Sequence, residues 1–307
     1  MAAASIPVVD YRKAATDRAA FVRETFDSLA GTGFMLLDHV DGLEDASQQQ
    51  CFEAAHKFFQ LDTETKMEYG LSRNPHFRGW GSPSGTALGG ALMVEAFQFG
   101  APCEPAAPHD DTSVPLWRRV LRGPNIWPTE EHAPNLRPTI EALHARYFKL
   151  SRQLGHVLSE AMGVDNSEYD SFFDLEDPDL LAALNHNIPI QDMPADLQPS
   201  VAEAFNPSNE GAGLGYGASG HTDGAPFVTL LIADSPGLQA LALDGTTWID
   251  VTPGPGQVVV NIGATLAKLS NRQLRATVHR VNPLLHTGRR CSLPYFLLPK
   301  LEVRAMI

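Results

Sequence analysis

The chain is short of cysteine, of basic residues and of long apolar runs, and each shortage removes a class of protein. Only three cysteines, Cys51, Cys103 and Cys291, occur in 307 residues. They are too few and too far apart for a disulfide framework or a cysteine-ligated zinc site. Lys and Arg number 23 against 36 Asp and Glu, a formal net charge of -13. A surface of that sign repels phosphate backbones and anionic lipid, so neither nucleic acid nor a membrane is an expected partner. A single buried arginine can still hold a small anion. No apolar run approaches the roughly 18 residues that a membrane-spanning helix needs. The N-terminal Met1-Ala2-Ala3-Ala4-Ser5-Ile6-Pro7 lacks the charged and apolar regions of a secretory signal. The expectation is a reduced, cytoplasmic protein. With 43% hydrophobic residues it can bury the core of one large domain or two closely packed lobes.

What is present divides near residue 175. Before it the signals are mostly helical. Thr16 is placed to cap a helix in which Val22, Phe26 and Leu29 recur on one face and Gly31 ends the run. Phe34-Met35-Leu36-Leu37 reads as a buried strand, and Phe52, Ala55 and Phe59 mark a second amphipathic helix. Between Gly79 and Pro115 the periodicity is weak and Gly, Ala and Pro are frequent, which predicts a long irregular connection. The clearest helix runs from Pro138 to Gly163, where Ile140, Leu143, Tyr147, Leu150, Leu154 and Val157 alternate steps of three and four.

From about residue 181 the pattern changes to short β-rich runs. They are Leu181–Leu184, Phe227–Ile232, Leu238–Leu243, Thr247–Val251, Gln257–Ile262, His279–Val281 and Leu293–Leu298, separated by turns such as Asp244-Gly245 and Asn282-Pro283. Many short, evenly spaced strands point to a jelly-roll or barrel. The expected fold is α+β, with a mostly helical region (1–175) supporting a β core (176–307).

His221-Thr222-Asp223 carries the chemistry. On a strand, residues two apart share a face, so an imidazole and a carboxylate there can hold one metal ion. His279, on another predicted strand, supplies a third ligand. Two histidines and a carboxylate leave coordination positions open, as iron(II) oxygenases require, although zinc accepts the same donors. With 11 His and 36 acidic residues, about one such triplet arises by chance. His109-Asp110-Asp111 is that match, and it reads as a solvated loop. Arg290 and Ser292 are also two apart, at the start of a predicted strand. A guanidinium fork beside a hydroxyl makes a carboxylate clamp; the alternative is a basic surface turn, since Arg289 adjoins it.

Other signals lead elsewhere. Gly215-x-Gly217-x-x-Gly220 lacks the preceding strand and following helix of a dinucleotide site. Alternation turns Cys291 away from the clamp, as a core thiol. His186 reads as a hydrogen-bonded strand histidine. Arg78 and Trp80 either line a substrate entrance or fix the long loop, with the second reading preferred.

Taken in order, His221-Thr222-Asp223, Val260-Asn261-Ile262-Gly263, Leu269-Ser270-Asn271, His279-Arg280-Val281 and Arg290-Cys291-Ser292-Leu293-Pro294-Tyr295-Phe296 resemble the isopenicillin-N-synthase-like branch of the iron(II)/2-oxoglutarate-dependent dioxygenases. Ile6-Pro7-Val8-Val9-Asp10, Gly33-Phe34, Arg78-Gly79-Trp80 and Asn125-Ile126-Trp127-Pro128 extend the likeness over nearly the whole chain. The resemblance implies a double-stranded β-helix core, iron held by His221, Asp223 and His279, and 2-oxoglutarate held through its distal carboxylate by Arg290 and Ser292. Asn185 matches a family residue that contacts the cosubstrate, whereas Asn187 stands where a tyrosine is expected. The implied reaction consumes O2, releases succinate and carbon dioxide, and oxidises a C–H bond of a small organic metabolite by hydroxylation, desaturation or cyclisation.

Two further readings follow from the same residues. One is an iron-dependent oxidase that uses O2 without 2-oxoglutarate, its clamp holding a substrate carboxylate. The other is a non-catalytic sensor, which would not need an intact ligand set. Relatives also usually continue into a helix over the active-site mouth, whereas this sequence stops at Ile307, soon after the last predicted strand. Another element or subunit is then expected to cover the pocket unless the chain is short.

Overall fold

The computed structural model describes residues 5–81, 94–103, 111–176, 178–193, 195–196, 198–205 and 220–305. Among them, eleven strands form two sheets. The larger has the order β1 (Val8–Asp10), β2 (Phe34–Asp38), β9 (Val258–Ile262), β6 (Val228–Ala233), β11 (Arg290–Leu297), β5 (Leu180–Asn187), β4 (Val94–Gly100) and β3 (Gly79–Gly81). The smaller has the order β10 (His279–Val281), β7 (Leu238–Leu241) and β8 (Trp248–Asp250). The pairing of β1 with β2 is parallel and the other strand pairings are antiparallel.

Alternation along β9, β6 and β11 sorts their residues onto two faces. Val258, Val260, Ile262, Leu230, Ile232, Leu293 and Tyr295 join the main core with Phe21, Leu29 and Phe58. The helix Leu136–Met162 packs there too, burying all six residues of its expected stripe, and Gly163 closes it at φ 69°. On the other face, Phe34, Leu36 and Val259 meet Leu238, Ala240 and Ile249 of the smaller sheet in a second core. The remainder of that inner face is more polar and bounds a cavity. The result is a double-stranded β-helix with a helical region packed against it.

Three expectations give way. The helix Arg18–Gly31 is capped by Asp17, whose carboxylate accepts the Ala20 N–H at 3.1 Å. Thr16 instead ends a short separate helix, Lys13–Thr16. The stretch read as irregular contains β4, which pairs with β5 along its whole length. Its alternation was hidden because Glu95 occupies an inward position beside Phe97 and Phe99. The Glu95 carboxylate is buried but accepts from Lys66 Nζ (2.7 Å), Trp80 Nε1 (3.0 Å) and His186 Nδ1 (2.9 Å). These contacts make the burial tolerable. β11 begins at Arg290, three residues before its expected start.

Candidate metal centre and cosubstrate clamp

His221 lies on no continuous strand. It forms one antiparallel bridge with His279, donating its N–H to His279 O at 3.0 Å and accepting from His279 N–H at 2.8 Å. Residues so exchanged face the same side, and the two imidazole centroids are 4.4 Å apart. Asp223 is brought in by a different device: its carbonyl accepts the Ala264 N–H at 2.7 Å, at the start of the helix Ala264–Leu269. Alternation was thus the wrong reason for the right convergence. Asp223 Oδ1 is 3.9 Å from His221 Nε2 and 3.6 Å from His279 Nε2. One ligand atom from each of the three lies within 4.8 Å of the others.

The surroundings orient two of the three donors. Asp223 Oδ2 accepts from Thr229 Oγ1 and Asn261 Nδ2, both at 2.8 Å, which leaves Oδ1 directed at the histidines. His279 Nδ1 lies 3.1 Å from Thr277 O, a carbonyl that can only accept, so Nδ1 carries the proton and Nε2 keeps its lone pair. Burial lowers the pKa of His279, opposed by the Asp223 charge and assisted by His221. A neutral imidazole results, the form that binds metal. Gly33, at φ 72°, holds β2 against this segment: a Cβ there would strike Thr277 Oγ1 and Arg275 O. Two nitrogens and one carboxylate oxygen, converging within 4.8 Å of one another, suit a divalent iron.

Arg290 and Ser292, the expected clamp, line the same cavity, of about 270 Å³, with Phe34, Leu231, Leu238, Pro294 and Phe296. Arg290 is 1% exposed. Its Nη1 donates to Ser292 Oγ at 3.0 Å and Asn187 Oδ1 at 3.3 Å, and its Nε to Ser235 O at 3.1 Å. Among the described residues no carboxylate forms an ion pair with it. Burial brings its pKa down to about 10, so it remains a cation at neutral pH. A buried cation held only by neutral acceptors is costly until an anion reaches it. The register sets Asn187 opposite Arg290 and Asn185 opposite Ser292, and both asparagines line the cavity.

Thr229 and Asn261 were not singled out from sequence as partners of Asp223. The available signal was a polar residue inside an otherwise apolar strand, in Phe227-Val228-Thr229-Leu230-Leu231 and Val258-Val259-Val260-Asn261-Ile262. His186 faces away from the cavity, stacked on Phe59 at 4.4 Å. Cys291 is fully buried in the main core. Arg78 and Trp80 are buried and hydrogen-bonded, to His76 O and to Glu95, as befits residues that fix a loop. His109, Asp110, Gly215 and Gly217 lie outside the described residues.

Comparison with known proteins agrees with this geometry. Residues 6–130 match the family described as non-haem dioxygenase in morphine synthesis, N-terminal, and residues 196–299 match the 2OG-Fe(II) oxygenase superfamily. The 2-oxoglutarate-dependent dioxygenase citB of Monascus ruber is 30% identical over 250 residues, covering 81% of this chain and 69% of the relative. The 2-oxoglutarate-dependent dioxygenase frbJ of Dothideomycetidae sp. (strain 11243) is 28% identical over 301 residues, covering 95% and 73%. A full-length Neurospora crassa protein, solved in complex with alpha-KG, superposes with a TM-score of 0.74 at 26% identity, over 96% of this chain and 85% of that one. These relatives favour 2-oxoglutarate dependence over the oxidase reading and an enzyme over a sensor. No helix among the described residues is long and apolar enough to cross a membrane. The chain belongs to the 2-oxoglutarate- and iron(II)-dependent dioxygenases, enzymes that use O2 to oxidise a small organic molecule.

Proposed function

We propose that His221, Asp223 and His279 hold the iron, and that Arg290 and Ser292 bind the far carboxylate of 2-oxoglutarate, with Asn185 and Asn187 as the adjoining wall. The carrying observation is a buried Arg290, with no carboxylate ion pair among the described residues, in one cavity with three convergent candidate donors. When bound, iron and 2-oxoglutarate would activate O2, the oxidant: two of its four oxidising equivalents convert the cosubstrate to succinate and carbon dioxide, and the other two oxidise a substrate C–H bond. The protein positions and shields. Arg290 neutralises one end of the cosubstrate where water is scarce. Thr229 and Asn261 keep a single oxygen of Asp223 available to metal, so the ligand set leaves room for cosubstrate and O2.

The ordered motifs support placement in the isopenicillin-N-synthase-like branch, and the likeness to citB and frbJ supports a role in secondary metabolism. A supporting region (1–175) and an oxygenase core (176–307) remain our working division, in keeping with one family match that ends at residue 130 and another that begins at residue 196. Three unpaired thiols fit a reducing compartment such as the cytoplasm. Succinate release with Fe(II), 2-oxoglutarate and O2 tests the assignment: Arg290→Ala is expected to abolish it at low cosubstrate. Unchanged release and unchanged 2-oxoglutarate affinity would remove Arg290 from the clamp.

A further inference from the structure

We propose that His56 acts through Asp234 as a brace for the cosubstrate clamp, so that the helix Asp45–Phe59 helps set the affinity for 2-oxoglutarate. The inference rests on the reading of Arg290 as the clamp.

Asp234 follows β6 directly. Its N–H donates to Cys291 O at 3.1 Å, and its Oδ1 accepts the Cys291 N–H at 3.0 Å. Both backbone polar groups of the residue between Arg290 and Ser292 therefore end on Asp234. The next carbonyl, Ser235 O, accepts from Arg290 Nε at 3.1 Å. The remaining carboxylate oxygen, Oδ2, accepts from His56 Nε2 at 2.6 Å. The His56 ring also lies 5.5 Å, edge-on, from His186, which pairs directly with Cys291 and sits between Asn185 and Asn187. One imidazole thus reaches chain neighbours of all four polar residues on the clamp wall. Among the described residues Asp234 makes no direct ion pair with Arg290; its charge favours the Arg290 cation from a distance, and its contacts with the clamp strand run through the backbone. A guanidinium gains little from a carboxylate it meets at the wrong angle.

His56→Phe keeps a ring against His186 and removes the donor. His56→Gln keeps a donor at similar reach. Binding of 2-oxoglutarate is measured without O2 on protein loaded with Mn(II), a redox-inert stand-in. The expectation for His56→Phe is about tenfold weaker 2-oxoglutarate binding, the low end of the loss that follows removal of an outer partner, with Mn(II) affinity unchanged and recovery in His56→Gln. In turnover, KM for 2-oxoglutarate rises while kcat at saturation holds. Unchanged cosubstrate affinity in His56→Phe, or equal losses in both variants alongside weaker Mn(II) binding, would overturn the brace. Arg290→Ala runs beside them: if it too leaves binding intact, the clamp reading has failed; if only it abolishes binding, the brace alone has failed.

Discussion

Along β11, Cys291, Leu293, Tyr295 and Leu297 face the helices, whereas Arg290, Ser292, Pro294 and Phe296 face the cavity. The core face is apolar apart from the Tyr295 hydroxyl, and burial of hydrocarbon stabilises it. The cavity face buries a cation and a hydroxyl at equal depth, with stability held back for a ligand to restore. One strand with period two serves both ends, so substitutions one residue apart should separate folding from binding.

The largest effect should come from the metal donors. Asp223→Ala removes a proposed ligand outright and is expected to weaken Fe(II) or Mn(II) binding by more than about 100-fold, since loss of outer partners alone costs about 10- to 100-fold. Titration of the metal checks this, and near-native affinity would refute the ligand set. Arg290→Met should weaken 2-oxoglutarate binding by about 2–5 kcal/mol while leaving the cosubstrate-free protein as stable or more so, because a desolvated charge is gone. On the core face, Leu293→Ala should do the reverse. It is expected to cost about 2–5 kcal/mol in urea unfolding with cosubstrate affinity little changed. If both variants lost stability equally, the contrast between the faces would collapse.

A pH effect comes next, on the core side. His144 packs edge-on against Tyr295 at 5.4 Å, its buried Nε2 has no hydrogen-bond partner among the described residues, and burial brings its pKa down to about 4. The unfolded chain takes up this proton near pH 6.5 and the folded chain resists until about pH 4. Stability is therefore full above pH 6.5 and falls as pH drops through that window, by roughly 3 kcal/mol in all. His144→Leu should flatten that part of the stability curve, and an unaltered slope would show that another group titrates. The smallest effect is expected from Thr229→Val, which removes one of two donors to Asp223 Oδ2. About tenfold weaker metal binding with an unchanged melting temperature is the outcome sought.

Much of the architecture was legible where a pattern was long or a residue type rare. The stripe on the helix Leu136–Met162 and the apolar runs of β6 and β9 need only local burial to declare themselves. β4 was not legible, because Glu95 sits where alternation calls for an apolar side chain and its three donors come from Lys66, Trp80 and His186, far off in sequence. The capping residue was off by one, since Thr16 and Asp17 carry the same local signal and only the break between two helices decides which is used.

By itself the sequence determined the chemistry on offer: two histidines, a carboxylate, an arginine and a serine, in an order and spacing specific to one family. The tertiary structure alone decided how they are presented. Asp223 converges through a bond to a helix start, and its spare oxygen is taken by Thr229 and Asn261. Arg290 is buried against Asn187 and Ser235, and among the described residues no carboxylate forms an ion pair with it. Those arrangements depend on which strands become neighbours, a contest among long-range pairings that local residue order does not display.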